Sequence, residues 1–240
     1  MYKVNLLFFL VIISLPMSER NFKEEFDDII KNVIAPIFKE KGFKKYGLNF
    51  HRESGEIIQV FNIQRNRYNT PTYMSFVFNV GIEDKGLFKK KNDREISKKP
   101  KEYECGIRSR FSNVKNNEEQ WYLLNKKVNL DDLKKKINKE IRNNVIPFLD
   151  KNIDPKNWIS LVNSRKYYVN CIFSKFLIIL KYGDKRKAHK ILRDYYQEKI
   201  KKKQPYGYLD DIKKYAQEFN VDLERESKSK TIIAKILKLK

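Results

Sequence analysis

Apolar residues along this chain keep two different periods, and the changes from one to the other divide it into segments. Phe22, Phe26, Ile29, Ile30, Val33, Ile34 and Ile37 fall three and four apart, which predicts an amphipathic helix from Ser18 to Lys41. Glu24, Glu25, Asp27 and Asp28 put negative charge in its first turns, where the helix dipole favours it; Ser18 reads as the cap and Gly42 as the stop. Pro36 predicts a kink or a separate last turn, because proline lacks the N–H that the helix needs there.

From Tyr46 the period shortens to two. Leu48 and Phe50 alternate with Asn49 and His51 up to Arg52, a Glu-Ser-Gly turn at 53 to 55 reverses the chain, and Glu56 to Gln64 returns as the second strand of a hairpin. The loop 65–71 leads to a third strand, Thr72 to Gly81, with Met74, Phe76, Phe78 and Val80 on one face and Ser75, Val77 and Asn79 on the other. Lys85 to Lys101 is rich in lysine and poor in apolar residues, and reads as a solvated mobile loop. A fourth strand is expected from Tyr103 to Phe111, with Arg108 and Arg110 on its polar face. A second helix follows from Leu130 to about Phe148, capped by Asn129 or Asp131 and interrupted near Pro147.

These elements predict an α+β unit over residues 18–150: a four-stranded antiparallel sheet with helices packed on one face. Residues 151–240 keep only the helical period and predict an all-α basic extension. Its elements are a short helix near Trp158, a pair over 167–181 and 185–201 that turns at Gly183, and further helices at 208–219 and 230–239. Residues 1–16 form a hydrophobic leader. Val4 to Leu15 has the length of a signal-peptide core, but Pro16 spoils the cleavage site and Met17 opens a natural start. Two readings follow: a start at Met17 and a cytoplasmic protein, or a retained leader and an exported or envelope protein. Membrane association is expected only in the second case.

Placing the apolar sides of the four strands against the helices makes Asn49, His51, Asn62, Gln64, Asn79, Arg108 and Arg110 project together from the other, uncovered face. Such a surface suits an acidic or hydrogen-bonding partner, with the arginines as anion anchors. It also suits plain exposure to water, since an open antiparallel face must be polar.

Composition sharpens this in one respect. With 52 basic and 30 acidic residues the chain carries a formal charge of +22, which attracts nucleic acid, acidic membranes or acidic proteins. Lysine far outnumbers arginine, however, as AT-rich coding produces without chemical demand, whereas base-reading and phosphate-clamping proteins favour the arginine fork. Residues 151–240 hold 23 basic against 10 acidic residues, and Lys201, Lys202 and Lys203 offer a phosphate grip if nucleic acid is the partner.

Chemistry is sparse. Only His51 and His189 are histidines, and they lie in different segments. Cys105 and Cys171 make no metal-ligand spacing and read as small buried residues; the Asp pairs at 27–28, 131–132 and 210–211 sit at helix beginnings, where capping accounts for them. No catalytic set, metal site or cofactor is predicted, and Gly is too scarce for a phosphate loop. The expectation is a binding module whose partner is another protein or an acidic macromolecule, with nucleic acid as an alternative. A small hydrolase or transferase built on His51, Arg108 and Arg110 is a further alternative, and it requires a deep pocket beside them.

Gly42-Phe43-Lys44-Lys45, Gln64 near a strand end, Asn79-Val80-Gly81, Arg108-Ser109-Arg110, Trp121-Tyr122 and Pro147-Phe148-Leu149 occur in an order that resembles an uncharacterised bacterial family, domain of unknown function 4304. The resemblance covers about 18–150. Tyr122 departs from the family's Trp-Trp pattern, and the lysine-rich loop is long. The resemblance implies a mostly intracellular protein and carries over no activity and no catalytic residue.

Overall fold

A computed structural model describes residues 20–114, 121–164, 166–203 and 206–224. The leader, Met17, the Ser18 cap and the helix expected at 230–239 lie outside the described residues. Asn21 caps the first helix, its side chain accepting from the N–H groups of Lys23 and Glu24. Helix α1 (Phe22–Asp28) passes through a π-helical stretch, Ile29–Ile34, into α2 (Ala35–Glu40). The wider turn sits immediately before Pro36, whose ring crowds the carbonyl one turn back and whose nitrogen donates nothing. The run therefore continues without the break that proline would otherwise impose.

Gly42, at φ 78°, ends this helix. The strand expected at 46–52 is two strands: β1 (Lys44–Tyr46) and β2 (Asn49–Ser54) form a hairpin turning at Gly47, where φ is 60°. A second turn at Gly55 leads into β3 (Ile57–Arg65), and the 66–73 loop leads into β4 (Met74–Asp84). The lysine-rich segment is not a loop throughout. Asp84 caps α3 (Lys85–Asn92), accepting from Leu87 N–H at 2.8 Å, and Phe88 is buried beneath it. The chain then crosses the sheet, makes a 3-10 turn at Glu102–Glu104, and enters β5 (Ile107–Arg110), shorter than the expected 103–111.

After α4 (Phe111–Val114) and β6 (Tyr122–Leu124) comes α5 (Leu130–Glu140), capped by Asn129. A second π-helical stretch, Ile141–Val145, precedes α6 (Ile146–Lys151) and Pro147, repeating the device used at Pro36. The tail holds α7 (Trp158–Asn163), β7 (Tyr168–Val169), α8 (Ile172–Tyr182), α9 (Lys185–Lys201) and α10 (Tyr206–Glu218). The α8–α9 hairpin turns at Gly183, and Ala188 is wholly buried at its packing surface.

The sheet has seven antiparallel strands rather than four, in the order β1-β2-β3-β4-β5-β7, with β6 also pairing with β4. The three strands not expected from the sequence are β6, β7 and the β1 half of the split strand; at two or three residues they are too short to display alternation. Among its described residues the extension has helices and one strand, β7, which joins the sheet at β5.

Both apolar clusters lie on one side of the sheet. Phe50, Phe61, Phe76, Phe78 and Val80 pack with Phe26, Ile34, Phe38, Ile137 and Leu149 from α1, the first π-helical stretch, α2, α5 and α6. Ile57, Ile82 and Ile107 share the same strand parity, as the pairs Phe61↔Val80 and Ile82↔Ile107 require, and they pack with Trp158, Phe176 and Leu192 of the tail. Phe38 stacks on Phe61 with ring centres 4.3 Å apart.

Candidate functional site: a registered polar row and a cationic recess

The seven polar residues assigned to one face share it in the structure, and register adds what alternation leaves open. Asn49 stands opposite Asn62, Asn62 opposite Asn79, and Asn79 opposite Arg110, so one straight row crosses four strands. Hydrogen bonds run along it. Asn62 Nδ2 donates to Asn49 Oδ1 at 2.9 Å, and Asn79 Nδ2 donates to Asn62 Oδ1 at 2.9 Å and to Gln64 Oε1 at 3.1 Å. The Arg110 guanidinium ends the row, giving Nη1–H to Gln64 Oε1 at 2.7 Å and to Asn79 Oδ1 at 2.8 Å. Each amide thereby orients its neighbour, and side chains that would otherwise sample several rotamers are held in place.

The face is not uncovered. The segment after α3 lies across it, its 3-10 turn against β3 and β4, and Ile58 and Val60 are buried on this side away from the helices. Cys105 is wholly buried there, and burial pushes its thiol well above the usual range. Gly81 explains how close the segment comes: a Cβ on it would stand 2.8 Å from Cys105 Sγ and 3.0 Å from the Glu102 backbone. His51 lies beneath Pro100, 6% exposed, with Nε2 donating to the Pro100 carbonyl at 2.7 Å. Burial lowers its pKa, opposed by that hydrogen bond and assisted by Lys101, so the ring is held neutral.

Beyond the crossing segment the face opens into a recess of about 340 Å³, bordered by Gln64, Asn79, Glu102, Arg108, Arg110, Asn113, Lys166, Tyr167 and Tyr168. Arg108 lies over the Tyr168 ring at 4.5 Å, and Arg110 lies 5.9 Å from the centre of Trp121. Glu102 is the acidic member. Burial raises its pKa, while the fields of Arg108 and Arg110 act in the opposite direction.

The structure thus brings Gln64, Asn79, Arg108 and Arg110 together at the recess, sets Asn62 one step along the row, and places His51 under the crossing segment. Lys201, Lys202 and Lys203 border none of it; they are exposed at the end of α9, and Lys202 pairs with Glu198 at 2.7 Å. His189 is half-buried on α9, and Cys171 caps α8. Lys166, Tyr167 and Tyr168 escape sequence reasoning because β7 has two residues. Glu102 escapes it because the crossing segment is held partly through backbone atoms. Among the described residues no group of three or more His, Cys, Asp or Glu is placed to hold a metal ion, and no helix is long and apolar enough to cross a membrane.

Fold and face together define an α+β domain on an antiparallel sheet, with apolar packing against helices on one side and a hydrogen-bonded polar row on the other. Residues 34–151 match the family model described as Domain of unknown function (DUF4304). Neither the curated proteins nor the solved structures compared with the chain gave a match. Within the matched region the Asn79-Val80-Gly81 run acquires a physical reading. Asn79 bonds to Asn62, Gln64 and Arg110, Val80 faces the core, and Gly81 admits the crossing segment.

Proposed function

We propose that this protein is a binding module that takes an acidic macromolecule on the polar face of its sheet, with the helical tail adding contact surface. The observation that carries the reading is the row Asn49–Asn62–Asn79–Arg110, joined through Gln64 to a recess bordered by two arginines and a lysine. Fixing amides and a guanidinium before a partner arrives removes much of the ordering cost of association. Arg108 supports the reading further. Stacked on Tyr168, it presents its charge at the recess in a set direction, and cations held that way give electrostatic complementarity to an anionic group.

A hydrolase or transferase reading needs His51 at the recess as its base. With His51 under Pro100 and outside the lining, that reading lacks support. The test of the binding reading is affinity capture on the full chain from its host, wild type against Gln64→Ala/Arg110→Ala, with circular dichroism as the control for folding. Macromolecules retained by the wild type are expected to be lost from the double variant. An identical set on both would sink the assignment to this face.

A further inference from the structure

The surface above the row carries a pattern that the row alone does not explain. Of the exposed large aromatic side chains, three belong to this side: Tyr46 at 38%, Tyr103 at 56% and Tyr168 at 53%. They are spread across the sheet. Tyr46 is in β1 and Tyr168 in β7, five strand spacings apart and so separated by roughly 24 Å, and Tyr103 rides on the crossing segment between them. Cations sit beside them. Lys99 Nζ is 4.2 Å from the Tyr46 ring centre, Arg108 is 4.5 Å from that of Tyr168, and exposed Lys98, Lys99 and Lys101 lie within five residues before Tyr103.

The acidic residues of the same path are mostly paired, exposed Glu95 with Lys89 at 2.7 Å among them. Glu104 accepts from Lys101 N–H at 2.8 Å and lies 3.8 Å from Arg94, Glu53 pairs with Lys85 at 3.0 Å, and Glu102 borders the recess under the field of the arginines. With those carboxylates paired, the strip offers tyrosine rings with lysines and an arginine beside them. Arg108 covers one side of Tyr168, and the ring's exposure leaves the other side for a planar group. An acidic polypeptide would use the charges and leave the rings idle. A duplex would offer phosphates but keep its base faces stacked inside. Unpaired bases on a phosphate backbone use both features at once.

Building on the reading of this face as a binding surface, we infer that its occupant is single-stranded nucleic acid. Bases stack on Tyr46, Tyr103 and Tyr168, and phosphates lie against Lys98, Lys99, Lys101 and Arg108. The site is the sheet face and its crossing segment, not the basic tail.

The test is fluorescence anisotropy of a labelled mixed-sequence strand of about 12 nucleotides with the full chain. Binding is expected at about 50 mM salt and to fall with salt at a log–log slope of about −3, as four neutralised phosphates on a single strand require. Tyr103→Ala/Tyr168→Ala is expected to weaken it at least about tenfold, and Tyr103→Phe/Tyr168→Phe to restore it, since stacking needs the ring and not the hydroxyl. Lys201→Ala/Lys202→Ala/Lys203→Ala should bind as the wild type does. Absence of binding overturns the inference, as do tyrosine-to-alanine variants that bind normally, a tail variant that alone loses binding, or a duplex that binds equally well. Nuclease-treated capture separates the two levels. A protein still retained through Gln64 and Arg110 when the strand does not bind would leave the binding module standing and remove nucleic acid as its partner.

Discussion

The two faces of the sheet are covered by different means. On one, Phe50, Phe61, Phe78 and Ile82 meet helices that bring their own apolar stripes, and attachment follows from removing hydrocarbon from water. On the other, a hydrophilic segment lies down through particular contacts: the Pro100 carbonyl on His51, and Cys105 and Glu102 against a glycine that leaves them room. The first kind of cover tolerates change of shape better than change of polarity. The second depends on individual atoms, and it exposes charged and aromatic side chains on its outer surface.

The largest effect that separates the faces is expected from truncating the apolar one. Phe61 is wholly buried, stacked on Phe38 and within 5.9 Å of both Phe50 and Phe78. Phe61→Ala should cost about 3–5 kcal/mol in urea unfolding, the range for a buried phenylalanine whose cavity only partly closes. A loss under about 1 kcal/mol would mean that the helices do not hold this face as described.

Next in size is a charge effect where β4 ends, because its last two residues point to opposite faces. For Asp84, burial would raise the pKa, but the Lys181 ammonium, the Tyr182 hydroxyl and Leu87 N–H outweigh it, so the carboxylate stays ionised. Glu83 has less help. Burial pushes it up to about 7, with Lys91 3.9 Å away and the Asp84 N–H only partly offsetting the loss of water. Its folded pKa therefore lies above the unfolded value near 4.5. The protonated form favours the fold, and that contribution is full below about 4.5 and lost as pH rises through about 7. Wild type should lose about 3 kcal/mol relative to Glu83→Gln between pH 4 and pH 8, since a tenfold change in proton affinity between the folded and unfolded chain is worth about 1.4 kcal/mol. Parallel stability–pH curves for the two proteins would refute the assignment.

The contrast between the faces also governs what could be read from the sequence. The helix of α1 and α2, the α8–α9 pair and the long strands β3 and β4 announce themselves because burial on one side leaves a period in the residue types. The same alternation placed Asn49, His51, Asn62, Gln64, Asn79, Arg108 and Arg110 on a common face. It could not supply the register that sets Asn49, Asn62, Asn79 and Arg110 in line, because that depends on turn lengths at Gly55 and in the 66–73 loop. Nor could it reveal the cover. Neither a proline carbonyl that binds a histidine nor the space left by a glycine has a hydrophobic signature, so a lysine-rich segment looks unattached even where it is pinned.

The smallest effect tests that pinning directly. Gly81 has an ordinary strand backbone, so its substitution tests space rather than conformation. A methyl group there would meet Cys105 Sγ at 2.8 Å and the Glu102 Cα and carbonyl oxygen at 3.0 Å, and the backbone atoms cannot step aside as a flexible side chain would. Gly81→Ala should therefore cost about 1–3 kcal/mol, the range for overpacking. Its mark should fall on the polar face: the amides of 101–106 should exchange hydrogen faster while those of α1 and α2 keep their protection, because local opening follows local contacts. Lifting the segment would also uncover His51, whose pKa is lowered chiefly by burial, so its titration should move back toward the ordinary value near 6.5. Uniform loss of protection across both faces would mean that the segment is part of the common core. Unchanged stability and an unchanged His51 would mean that it does not rest on Gly81 at all.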